Sequence, residues 1–96
     1  MRAIRGSDSF QLAITATARR RLAEQLPEAV AFAAHEFING PLLANPHRVG
    51  KRLIPPLDDR HGARRGTYRV LYRIDDHARI VIVLAVAPRS DANRPQ

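Results

Sequence analysis

The stretch that most limits what this chain can become runs from Thr67 to Ile74. Tyr68, Val70, Tyr72 and Ile74 fall on one side, and Thr67, Arg69, Leu71 and Arg73 on the other. Side chains of a strand point alternately to opposite faces, so this spacing predicts a strand with one buried face and one basic face. Arg60, His61, Arg64 and Arg65 lie just ahead of it, and Gly66 offers the turn that joins two antiparallel strands. A sheet face that holds guanidinium groups at fixed spacing is suited to gripping phosphates.

The rest of the chain reads as support for that strand. Phe10, Leu12 and Ile14 alternate with Gln11 and Ala13, which predicts a short first strand. Thr15 or Thr17 can cap the helix that follows, where Ala18, Leu22 and Leu26 recur every four residues. Pro27 ends that helix and can open the next at its first position. In this second helix Val30, Ala33, Ala34, Phe37 and Ile38 form the apolar stripe, and Asn39-Gly40-Pro41 stops it. Positions 41–56 read as an irregular connection carrying His47, Arg48, Lys51 and Arg52. A second strand leads up to Arg65, the alternating strand is the third, and 75–78 turns the chain. The run 79–87 is a fourth strand, apolar on both sides and therefore central or well covered.

These elements predict an α+β domain of order β-α-α-β-β-β, with a helix hairpin on one face of a small, mainly antiparallel, four-stranded sheet. Ninety-six residues make one domain over 1–96, with residues 1–9 loose and 89–96 a C-terminal tail. Residues 1–9 lack the apolar run of a signal peptide, and the run from Ile80 to Ala87 is too short to span a bilayer. A soluble, cytoplasmic protein with no membrane partner is expected. Cysteine is absent, which excludes a disulfide framework, a thiolate nucleophile and a cysteine-based zinc site.

Charge narrows the partners. The formal net charge is +7, and Lys51 is the lone lysine among sixteen Lys and Arg residues. A small basic domain is drawn to nucleic acid, an anionic membrane or an acidic protein, and arginine favours bidentate contacts with phosphate or carboxylate. The four histidines stand on different elements with no metal-ligand spacing, and no phosphate-binding glycine loop is present. No metal and no cofactor is expected.

An RNA phosphodiester can be cut without either. The ribose 2′-hydroxyl attacks the adjacent phosphate if one group takes its proton, another offsets the developing charge, and another protonates the leaving oxygen. Arginine stays protonated and can only do the second task. Lys51 and His61 are the titratable residues next to the arginine cluster and are the candidates for proton transfer. Arg69, Arg65 and Arg89 are the candidates for charge stabilisation. Arg48, Arg52, Arg64 and Arg73 are expected to hold phosphates.

The run from Gly40 to Lys51, the core Ala63-Arg-Arg-Gly-Thr-Tyr-Arg-Val-Leu-Tyr72 and the segment from Ile82 to Ser90 resemble the RelE/ParE toxin superfamily, nearest its actinobacterial RelE-type members. The likeness extends over residues 10–94. It implies a RelE-like fold and the toxin of a toxin–antitoxin pair, which enters the ribosomal A site and cuts mRNA without a metal. Motif by motif, it assigns phosphate stabilisation to Arg69 and basic roles to Lys51, Arg65 and Arg89. It also implies a short, acidic, helical antitoxin, and operator DNA reached only through the antitoxin complex. Two positions depart from the pattern: Pro88 replaces a basic residue, and Asn93 replaces a tyrosine that could stack on a base or assist proton transfer. Asparagine has neither an aromatic face nor useful acidity. Three functions therefore stay open: a ribosome-dependent endoribonuclease, a ParE-like inhibitor of DNA gyrase, and a weakly active or inactive homologue acting mainly as an antitoxin-binding module.

Overall fold

A computed structural model describes residues 9–88. The tail with Arg89 and Asn93, and the N-terminal segment apart from Ser9, lie outside them. The chain forms β1 (Gln11–Ile14), α1 (Ala16–Glu24), α2 (Glu28–Asn39), two single-turn helices α3 (Pro41–Ala44) and α4 (Pro46–Val49), then β2 (Lys51–Arg52), β3 (His61–Arg65), β4 (Tyr68–Asp75) and β5 (Ile80–Pro88). The strands make one mixed sheet in the order β1-β5-β4-β3-β2. Only β1 and β5 pair in parallel; the other pairings are antiparallel.

The sheet thus has five strands where the sequence predicts four. The extra one, β2, is two residues long and exists because Lys51 and Arg52 pair with Gly62 and His61 on the sheet edge. Two residues carry no alternation, so their own sequence holds no strand signal. The connection read as irregular also contains α3 and α4, each opened by a proline at its first turn, where the missing N–H costs nothing. Four residues are likewise too few for a helical period.

Local chemistry accounts for the larger elements. The Thr15 hydroxyl accepts the Ala18 N–H at 3.2 Å and caps α1, a contact of the kind worth about 1 kcal/mol. Pro27 stands at the N-cap of α2, one place earlier than expected. Gly66 takes φ 59 between β3 and β4, a backbone that L side chains avoid and that a tight hairpin needs at its first central position. At the other end of β4, the Asp75 carboxylate accepts the Ala78 N–H at 2.9 Å and closes the turn into β5.

Helices α1 and α2 lie on one face of the sheet. Ala18, Leu22, Ala34, Phe37, Ile38 and Leu42 bury against Tyr68, Val70, Tyr72, Val81, Val83 and Val86. Tyr68 and Tyr72 are therefore core, as their side of the strand predicts. Ala33, placed in the apolar stripe by spacing, is exposed. β5 lies inside the sheet between β1 and β4, with Val81, Val83 and Val86 buried on the helix side and its other apolar face only partly covered. Among the described residues no helix is long and apolar enough to cross a membrane.

Candidate phosphate-binding groove

Among the described residues the helices cover one face of the sheet and leave the other open. Residues directly opposite on neighbouring strands share a face. The register sets Lys51, Gly62, Leu71 and Ala85 in one row across four strands, and Arg64, Arg69 and Ala87 in the next. With the loop after β2, these rows line a groove of about 650 Å³ that continues into a recess of about 300 Å³. The two share Leu53, Leu57, Gly62 and Arg69.

One end of this groove is strongly cationic. Arg48, Lys51, Arg52, Arg64, Arg65 and Arg69 all line it. Arg64 and Arg69 are cross-strand partners, an arrangement that like charges disfavour. Among the described residues neither meets a carboxylate, nor do Arg48, Lys51 or Arg52. A bound anion would relieve that repulsion.

Arg65 is held differently. Its guanidinium donates to the Arg64 carbonyl at 2.8 Å and to the Val49 carbonyl at 3.1 Å, and sits 4.7 Å from the centre of the Phe37 ring. It fastens α4 to β3 while still lining the groove. Arginine suits this double use, because its planar fork carries five donors.

His61, a proton-transfer candidate by sequence, opens β3 on the face packed against the helices. Its ring stacks on Tyr72 with 5.6 Å between centres and meets His47 edge-on at 5.7 Å. Its Nδ1 is buried without a hydrogen-bond partner among the described residues. Burial, then the nearby His47 and Arg52 charges, hold its pKa below the usual 6.5, and Asp76 pulls weakly the other way. His61 does not line the groove, and neither does Arg73, which lies farther along β4 opposite Ile82. Arg89 falls outside the described residues.

Among the described residues Lys51 is the one groove-lining cation that is an ammonium rather than a guanidinium, which makes it the groove's candidate for proton transfer. Tyr72 cannot substitute for it: burial pushes its hydroxyl up to about 12, and the group is spent on the Pro46 carbonyl at 2.6 Å. No cluster of three metal-ligating side chains occurs among the described residues.

The sequence reading missed the other half of the groove. Leu53, Ile54, Leu57, Leu71, Ala85 and Ala87 form an apolar side facing the cations. Ile54 and Leu57 are exposed large hydrophobics. The available signal was the second apolar face of 79–87, which the helices do not need.

A basic groove opposite a helix-covered face on a mixed sheet defines a small α+β protein with a cationic surface site. Residues 10–93 match the family described as ParE toxin of type II toxin–antitoxin system, and the chain belongs to the RelE/ParE toxin family. It is 52% identical over 85 residues to Toxin RelE of Mycobacterium tuberculosis, covering 88% of this chain and 87% of that protein. Toxin RelG of the same organism is 46% identical, covering 88% and 97% respectively. Among solved structures, the toxin–antitoxin complex RelBE2 of M. tuberculosis contains a chain that superposes with a TM-score of 0.81 at 46% identity, over 84% of this chain and 99% of that one. The toxin in the intact E. coli RelBE complex shares the fold at 17% identity and a TM-score of 0.69.

Proposed function

We propose that this toxin is a metal-independent endoribonuclease that cuts mRNA in the ribosomal A site. The observation that carries the reading is the cationic end of the groove, where Arg48, Lys51, Arg52, Arg64 and Arg69 meet no carboxylate among the described residues and Lys51 is the one ammonium. In the reaction the 2′-oxygen bonds to phosphorus as the bond from phosphorus to the 5′-oxygen breaks. The products are a 2′,3′-cyclic phosphate and a 5′-hydroxyl. Arg69 stabilises the extra negative charge on the phosphoryl oxygens in the transition state. Lys51, as an ammonium, gives its proton to the leaving 5′-oxygen, and the proton of the 2′-hydroxyl passes to solvent or to the ribosome. Arg48, Arg52 and Arg64 hold the flanking phosphates, and Arg65 braces the end of the groove. His61 keeps a structural place.

A cognate antitoxin completes the reading. The M. tuberculosis and E. coli relatives were solved as complexes with their antitoxins, and the apolar side of the groove, beside arginines that meet no carboxylate among the described residues, suits a short acidic helical chain. The test is expression in cells followed by primer extension on a defined transcript. Cuts at codon positions are expected, and Arg69→Ala should abolish both the cuts and growth arrest while antitoxin binding persists. Intact transcripts with damaged DNA would reject the nuclease in favour of a gyrase inhibitor.

A further inference from the structure

We infer that His47 and Asp76 form a positioning latch that holds the single-turn helix α4, and through it Arg48 and Lys51, in register with the groove. The step from latch to catalysis rests on the function proposed above; the latch itself does not.

Helix α4 has four residues, too few to persist by its own hydrogen bonds. Arg48 lies within it, and Lys51 follows after Gly50. Whatever fixes α4 therefore fixes two cations of the groove. The Tyr72 hydroxyl donates to the Pro46 carbonyl at 2.6 Å, and Arg65 donates to the Val49 carbonyl at 3.1 Å. Both act at the ends of α4 and hold its backbone. The third tie is different. His47 Nε2 lies 2.9 and 3.0 Å from the two carboxylate oxygens of Asp76, which stands in the β4–β5 turn 29 residues away. An ionised carboxylate only accepts, so Nε2 carries the proton whether the ring is neutral or charged. Two oxygens on one donor restrain the ring and hence the rotation of the turn about its axis.

The pair is well exposed, with 53% of the His47 side chain and 61% of the Asp76 side chain accessible. Exposed pairs of this kind add little to global stability. Its loss should thus loosen α4 without unfolding the domain, which separates positioning from folding.

The variants are Asp76→Ala, His47→Ala, the double variant, and Asp76→Asn, which keeps an acceptor for Nε2. Amide hydrogen exchange reports on α4 through the N–H groups of Arg48 and Val49, both bonded to the Asn45 carbonyl. Exchange there should quicken about two- to fivefold in each alanine variant, no further in the double variant, and return toward wild type in Asp76→Asn, with thermal midpoints nearly unchanged. On ribosomes programmed with mRNA, kcat should fall about two- to fivefold in the alanine variants with KM little altered. Unchanged exchange at Arg48 and Val49 would overturn the latch. Quickened exchange with undiminished kcat would overturn its role in positioning. Failure of the wild-type protein to cleave would instead reject the nuclease reading, and the exchange data would still decide the latch.

Discussion

Gly50 connects α4 to β2, and Gly50→Ala tests whether the groove edge is as tightly built as the geometry says. Its φ of −137° and ψ of −175° are extended and open to any residue, so glycine is not needed for backbone freedom. It is needed for space. A Cβ there would collide with the Tyr72 hydroxyl and lie 2.8 Å from the Gly62 carbonyl oxygen. The carbonyl belongs to a strand paired on both sides and cannot retreat cheaply. If the hydroxyl moves instead, the buried Pro46 carbonyl loses its donor at a cost of about 1–3 kcal/mol. Overpacking adds about 1–3 kcal/mol, and the stiffer unfolded chain returns about 0.4–1. Together these leave a net loss of about 1–5 kcal/mol. For a domain of this size that lowers the thermal midpoint by about 5–25 °C. Calorimetry or urea unfolding measures it. Tyr72→Phe removes the clashing oxygen, so Gly50→Ala should cost at least about 1 kcal/mol less in that background. Simple additivity of the two losses, or a Gly50→Ala loss below about 0.5 kcal/mol, would refute the steric argument.

Two further outcomes follow from the groove and from the histidine beneath it. Lys51→Arg keeps the charge but puts a guanidinium that does not give up its proton in place of the ammonium, so kcat for mRNA cleavage should drop about 10²–10⁴-fold while binding to programmed ribosomes stays near wild type; cleavage retained in Lys51→Arg but lost in Lys51→Met would point to a purely electrostatic role. His61 has its folded-state pKa below 6.5, so the unfolded chain takes up the proton first as pH falls. Its contribution is complete above that value and declines as pH drops through it, so the stability advantage of wild type over His61→Gln should shrink from about pH 7 to pH 5 in urea titrations. An advantage independent of pH would show that His61 is not held neutral by the fold.

The elements legible in the sequence are those whose own residues contain a full period. Tyr68, Val70 and Tyr72 announced which side of β4 faces the core, and Ala34, Phe37 and Ile38 did so for α2. Thr15 and Gly66 marked boundaries through chemistry confined to a few neighbouring residues. The cationic candidates Lys51, Arg69, Arg48, Arg52, Arg64 and Arg65 were named from the sequence, and all of them line one groove.

Tertiary structure alone decided the rest. Strand β2 arises only because the edge of β3 lies within pairing distance, and α4 only because Tyr72, Arg65 and Asp76 reach it from other elements. The face on which His61 lies depends on the register of β3 against β4, which a one-residue slip would invert. Leu71, Ala85 and Ala87 become a groove wall only when two strands are laid side by side on the face that no described helix covers. Periodicity and capping act over a few residues of chain and are written into it. Pairing, packing and convergence of charge act between residues distant in sequence, so they exist only once the sheet has closed.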